Sequence, residues 1–211
     1  MKSKLALLIV SLIFSGHAWS QTTYKEGTHY HLIQSTTDQQ ASKKTDVKEF
    51  FWYGCHTCYS LQPYFEHWVK TKKSDVEFER IPAMTHDNME LLARSYYTAI
   101  KLNLEKQLHI PLFTAIHGHK TKIENKAQLT TFLKKQKIDD KKFIKVMQSP
   151  EITKKIKRAK QLGKQLEIAG PPTVTIGSRY RMDPSGVGSA SEFIELLDFL
   201  VDQVKKEGIG N

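Results

Sequence analysis

The sequence predicts an α/β protein in which a block of helices interrupts a framework of strands and helices. Three observations carry this prediction. A strand signal over residues 47–53 runs directly into an amphipathic helix. Helical periodicity holds from about Asp87 to Gly163, with no strand alternation inside it. Strand chemistry returns at residues 173–176, followed by one more helix. The expected order is strand, strand, helix, strand, helical block, strand, strand, helix, which places the chain in the α/β class.

The first strand is expected over residues 30–33, and the polar stretch 36–46 reads as a surface loop. Residues 47–53 contain Phe50, Phe51, Trp52 and Tyr53, all of high β-propensity, and Gly54 marks the break. Beyond it Leu61, Phe65, Trp68 and Val69 recur at helical spacing, with Pro63 expected to kink the helix after its first turn. Val76, Phe78 and Arg80 alternate with Glu77, Glu79 and Ile81 as a third strand. Met89, Leu92, Ala93, Tyr96, Tyr97 and Ile100 form an amphipathic stripe. Shorter helices are expected over 111–116, 127–135 and 140–147, with Asn125 and Gln128 at capping-box spacing. Ser149-Pro150 opens a further helix as N-cap and N1. In the tail, Gly177-Ser178 turns strand 173–176 back onto residues 179–182, and a last helix spans about 191–205.

Chemistry concentrates at Cys55-His56-Thr57-Cys58, which holds the only two cysteines among 211 residues. Cys55 falls at a helix N-terminus, where unpaired N–H groups and the helix dipole favour negative charge. Such a position lowers a thiol pKa and populates the reactive thiolate. The two-residue spacer lets Cys58 return one turn later and close a small disulfide. Four alternatives stand beside a redox pair. A structural disulfide of this spacing would constrain little of the unfolded chain. Half of a zinc site would need a second ligand pair, and His117 and His119 lie only two apart. A copper- or zinc-binding module using Cys55, His56 and Cys58, or an inert pair of thiols, completes the set.

Residues 1–20 read as an export signal. Lys2 and Lys4 precede a ten-residue apolar core, and Ala18 and Ser20 are small residues at the positions a peptidase reads. The run is too short to span a bilayer, although a retained anchor is the alternative. Disulfides persist in the exported compartment. Without Lys2 and Lys4, 30 basic residues face 22 acidic ones, a formal charge of +8. The lysines alternate with apolar positions on helical stretches and carry little interleaved aromatic surface, which argues for solvated helix faces and against nucleic-acid binding.

In order and spacing, the chain resembles the DsbA-like thiol:disulfide oxidoreductases. The likeness is carried by residues 24–27, the Glu49-Phe50-Phe51 strand, the Cys-x-x-Cys followed by Tyr59, and Ile110-Pro111-Leu112-Phe113. Gly170-Pro171-Pro172, Tyr180 and Pro184-Ser185-Gly186 complete it. The resemblance implies a thioredoxin fold with an inserted helical domain: residues 21–85 and 161–211 as the thioredoxin-like domain, 86–160 as the insertion. It implies a periplasmic oxidase that passes the Cys55–Cys58 disulfide to unfolded or reduced exported proteins. A membrane thiol oxidase of the DsbB type would reoxidise it, and the protein would act as a monomer without cofactor or metal. By the same resemblance Cys55 is the nucleophile and Cys58 the buried partner. Glu49 matches a buried acid, paired with Arg80 where the family has lysine; a solvated strand face for Glu49 and a surface strand position for Arg80 are the alternatives. Pro172 matches a cis-proline facing the disulfide, with Pro171 and Thr57 as further substrate contacts. The sequence departs from the usual Pro-His spacer, so His56 stands one position earlier than the family's histidine. A reductase or isomerase on the same fold is the alternative. The isomerase is disfavoured because no N-terminal dimerisation segment is seen.

Overall fold

The computed structural model describes residues 23–34 and 44–208. The export signal and most of the 36–46 loop therefore lie outside the described residues. The sheet is built from β1 (His31–Leu32), β2 (Thr45–Phe51), β3 (Val76–Pro82), β4 (Thr173–Ile176) and β5 (Tyr180–Met182). Its order is β1-β5-β4-β2-β3, with β2 and β3 parallel and every other pairing antiparallel. A parallel pair needs a long crossover, and α1 (His56–Thr71) supplies it. β4 and β5 need only a tight turn. Gly177 and Ser178 both have positive φ, +58° and +48°, and Arg179 N–H closes the turn on the Ile176 carbonyl at 3.0 Å. This is the turn type whose twist suits a two-residue hairpin.

Five helices follow β3: α2 (Glu90–Lys101), α3 (Glu105–Phe113), α4 (Lys126–Lys135), α5 (Asp140–Met147) and α6 (Pro150–Gln165). α7 (Ala190–Lys206) closes the chain. Each helix from α4 onward starts on a side-chain cap. Asn125, Asp139, Ser149 and Ser189 accept from the N–H groups of Gln128, Lys142, Ile152 and Glu192. The division expected at residue 160 falls within α6.

Several expectations need correction. β2 ends at Phe51 rather than at Tyr53, because residues 52–55 close a turn in which Cys55 N–H meets the Trp52 carbonyl at 3.0 Å. β1 shrinks to His31 and Leu32, the two residues that find partners on β5. The helix expected over 111–116 begins earlier, at Glu105, and carries Pro111 in its interior. It then widens into a π-turn over Thr114–Gly118. At α4 the Gln128 side chain accepts from Glu124 N–H, one residue before the N-cap, so the capping box is only half made. α1 is continuous through Pro63, whose ring is on the solvent side.

Apolar side chains collect in two clusters. One holds Phe50, Phe51, Tyr53 and Cys58 against Tyr96, Leu112, Phe113 and Phe132 of the helical block. The other holds Val47, Leu61, Phe65 and Trp68 against Phe193, Leu196, Leu200 and Val204 of α7. α1 thus starts in one cluster and ends in the other. Phe51 is the aromatic hub of the first. Its ring centroid is 5.0 Å from Tyr96, 5.2 Å from Tyr53, 5.3 Å from His109 and 6.0 Å from Phe113. Replacing Phe51 by alanine is expected to cost about 3–5 kcal/mol, the range for a fully buried aromatic. Urea unfolding followed by circular dichroism measures it, and a loss below ~1 kcal/mol would show that the helical block does not depend on this contact.

Candidate active site

The chain reaches the site through a turn in which the Trp52 side chain takes the space beside Gly54. The Trp52 ring lies across Gly54 so closely that a Cβ there would stand 2.4 Å from it. Cys55 follows in extended conformation (φ −86°, ψ 115°) as the N-cap of α1, and its Sγ accepts from Cys58 N–H at 3.0 Å. The first turn of α1 contains no acidic residue. Negative charge on this sulfur would meet a direct donor and the positive end of a sixteen-residue helix. The two cysteines form a disulfide with Cα atoms 5.2 Å apart, within the ordinary span of such bonds. Cys55 is half-buried and Cys58 wholly buried in the first cluster. One sulfur therefore faces incoming molecules and the other does not.

Facing Cys55 is the loop before β4. The Pro171–Pro172 peptide bond is cis, Pro172 is buried, and the Pro171 carbonyl oxygen is 3.7 Å from Cys55 Sγ. His56 and Thr57 are exposed. The His56 ring meets His117 edge-on, with centroids 5.6 Å apart. His117 stacks on Tyr59 at 5.3 Å and sits 2.8 Å through Nε2 from the Tyr53 carbonyl, to which it must donate because a carbonyl only accepts. The π-turn at the end of α3 carries His117 to this position.

Behind the disulfide is a buried polar group. Glu49 is 0 % exposed, and the register of the parallel pair sets it directly against Arg80. Arg80 Nε donates to Glu49 at 3.0 Å and its Nη2 to Glu66 at 2.9 Å, while Glu105 lies 3.9 Å from Nη1. Gln62 Nε2 donates both to Glu49 (3.1 Å) and to the Cys58 carbonyl (3.2 Å), which ties the acid to the buried cysteine. Burial pushes the Glu49 carboxyl above its ordinary value, and the Arg80 charge and the Gln62 hydrogen bond pull it back. His109 Nε2 lies 3.0 Å from Gln62 Oε1, and its Nδ1 lies 2.9 Å from the Tyr53 hydroxyl. Burial pushes the His109 imidazole down to about 3, so it is neutral.

The expected residues thus divide into three groups. Cys55, Cys58, Pro171 and Pro172 converge around one sulfur. Glu49 belongs to the buried network rather than to a solvated strand face, and Arg80 is its partner rather than a surface residue. His56 and Thr57 remain at the exposed rim. Sequence reasoning missed Gln62, Tyr53, His109 and His117. A signal for them existed. Gln62 is one helical turn from Cys58, and His109, Phe113 and His117 follow one another at i+4 spacing, placing two imidazoles on an otherwise apolar stripe. Among the described residues no group of three or more His, Cys, Asp or Glu is arranged to hold a metal ion. No described helix is long and apolar enough to cross a membrane.

What the scaffold presents is one reachable sulfur bonded to an unreachable one, the arrangement of a thiol:disulfide oxidoreductase. Residues 46–195 match the model of the DSBA-like thioredoxin domain, and the chain belongs to that family. It is 31% identical over 208 residues to the thiol:disulfide interchange protein DsbA of Burkholderia cepacia, covering 97% of this chain and 98% of that one. To DsbA of Pseudomonas syringae pv. tomato it is 29% identical over 198 residues, covering 94% and 92%. The crystal structure of Pseudomonas aeruginosa DsbA superposes with a TM-score of 0.81 at 28% identity, over 87% of this chain and 96% of that one. The chain is accordingly a protein disulfide oxidoreductase.

Removing the cation tests the buried pair. In Arg80→Met the Glu49 charge would be left buried without its ion-pair partner, at a cost of about 3–5 kcal/mol near neutral pH. The sign of the pH effect follows from linkage. A carboxyl raised in the folded state holds its proton there after the unfolded chain has released it. Stability therefore falls as pH rises from the ordinary carboxylate value towards the raised one. The deficit of Arg80→Met should shrink on acidification, as Glu49 becomes neutral. Denaturant titrations at several pH values check this, and a deficit that does not change with pH would mean that Glu49 is already neutral beside Arg80.

Proposed function

We propose that this protein is an exported dithiol oxidase that donates the Cys55–Cys58 disulfide to reduced proteins in the periplasm. The observation that carries the direction of transfer is the Cys58 N–H donated to Cys55 Sγ at 3.0 Å, at the start of a helix with no acid in its first turn. Stabilising the Cys55 thiolate favours the reduced form, so the oxidised form gives its disulfide away. A substrate thiolate attacks Cys55 Sγ in line with the S–S bond. The Cys55–Cys58 bond breaks, a mixed disulfide forms on Cys55, and the electron pair leaves on Cys58, which takes up a proton. Glu49, tied to Cys58 through Gln62, is the acid available to exchange that proton. A second substrate thiolate then attacks the substrate sulfur and releases Cys55 as thiolate. Two electrons have passed from the substrate to the protein, and a membrane thiol oxidase of the DsbB type would remove them. Residues 1–20 would direct export and be cleaved, and the protein would work as a monomer.

Two measurements test this reading. The Cys55 thiol of the reduced protein should titrate well below the free-cysteine value of about 8.5, and Cys58 should not. Thiolate absorbance followed against pH decides, and a Cys55 transition at the free value removes the case for an oxidase. The second concerns docking. Proline at 171 keeps its carbonyl as an acceptor but has no N–H. A substrate backbone laid along it as a strand therefore loses one hydrogen bond, a net deficit of about 0.5–1.5 kcal/mol. In a Cys58→Ala background, Pro171→Val should bind a non-covalent peptide analogue about two- to ten-fold more tightly. Calorimetry measures this, and equal or weaker binding would show that ring rigidity outweighs the missing donor.

A further inference from the structure

Tyr53 and His109 take no part in the exchange steps, yet both are buried and both spend their polar atoms on the same network. While Glu49 is ionised, the donors in that network can run in one direction only. His109 is neutral, so one ring nitrogen carries a hydrogen and the other accepts. Suppose that Nδ1 carried it and pointed at the Tyr53 oxygen. Nε2 would then be an acceptor facing Gln62, and the carboxamide would have to turn its NH2 towards His109. Its oxygen would then face a Glu49 oxygen and the Cys58 carbonyl, three acceptors with no hydrogen among them. The opposite order satisfies every atom. Tyr53 O–H donates to His109 Nδ1, His109 Nε2–H donates to Gln62 Oε1, and both hydrogens of the Gln62 NH2 go to Glu49 and to Cys58 O.

We propose that Tyr53 and His109 are positioning residues for the Cys55–Cys58 couple. Through this one-way chain they hold the Gln62 amide with its NH2 on Glu49, and so set the charge state of the acid tied to Cys58. Glu49 is faced by Arg80 from β3, Gln62 and Glu66 from α1, Tyr96 from α2 and Tyr53 from the turn after β2, while from α3 Glu105 approaches Arg80 and His109 approaches Gln62. Arg80 stays charged throughout. Among the neutral groups, the amide orientation is what the chain controls. Tyr53→Phe keeps the ring against Phe51 and Phe113, at 5.2 and 4.8 Å, but frees the tautomer of His109. The amide can then turn over, Glu49 loses a donor, and it remains protonated to higher pH. A neutral Glu49 repels the Cys55 thiolate less, so the reduced form gains and the couple becomes more oxidising.

This deepens the proposed function and rests on the disulfide cycling. The experiment equilibrates the parent, Tyr53→Phe, Gln62→Leu and the double variant with glutathione buffers from mildly acid to mildly alkaline pH. Tyr53→Phe should shift the equilibrium constant towards the oxidising side by about two- to ten-fold. It should also move upward the pH at which the slope of midpoint against pH changes. Gln62→Leu should shift at least as far, and the double variant no further, because the two act along one chain. If Gln62→Leu does not fold, His109→Leu takes its place in the cycle. A Tyr53→Phe protein with the parental equilibrium constant, or effects that add in the double variant, would overturn the inference. A parent that does not exchange with glutathione would sink both this and the proposed function. A redox-active parent that fails to oxidise substrate proteins would sink only the latter.

Discussion

The ion pair between Glu49 and Arg80 is the constraint on which the arrangement of the site depends. A carboxylate at the centre of a sheet is costly unless its partners are in place, and these partners come from three separate elements. Arg80 is opposite in register on β3, Gln62 and Glu66 come from α1, and Glu105 from α3. A planar guanidinium can serve several carboxylates at fixed angles, which a lysine ammonium does less well. The Arg80 side chain is only 9% exposed and its charge also lies 5.1 Å from the Phe78 ring centroid. Any slip of α1 or α3 would strand one of these charges. The depth at which α1 starts, and with it the position of Cys55, is thereby held by electrostatics as much as by packing.

Around this pair the disulfide occupies a seam. Cys58 belongs to the cluster shared with the helical block, whereas Leu61, Phe65 and Trp68 of the same helix belong to the cluster shared with α7. The π-turn after α3 brings His117 back onto the Tyr53 carbonyl, so the helical block touches the turn that carries Cys55. The loop with Pro171 approaches from the other side of the sulfur. Three segments distant in sequence thus enclose one atom, and the exposed rim is left to His56 and Thr57.

Much of this was legible in the sequence because local rules and tertiary demands agree. The start of α1 after Gly54, the caps at Asn125 and Ser149, and the Gly177-Ser178 hairpin are each written in a few adjacent residues. The redox pair was legible for the same reason. Elements failed where a neighbour overruled propensity. Trp52 and Tyr53 have strand chemistry but turn, because Gly54 gives the indole room. Pro111 suggested a helix start, but α3 tolerates it in its interior. Spacing could have marked Gln62 and His109 one by one, but not the network they form with Tyr53, since its members lie on three segments and only the fold brings them together. The same holds for His117, whose placement depends on a π-turn that no local pattern announces.

The indole laid over Gly54 also gives the molecule a built-in optical reporter. Trp52 and Trp68 are the two tryptophans of the described residues. Cys55 N–H is bonded to the Trp52 carbonyl, whereas Trp68 is near the far end of α1, hydrogen-bonded to Asp198 at 2.8 Å. A disulfide accepts an electron from an excited indole far more readily than a pair of thiols does. Emission from Trp52 is therefore expected to follow the oxidation state of its neighbour more closely than emission from Trp68 does. Turnover in this protein can be followed by its own light, without label or substrate dye.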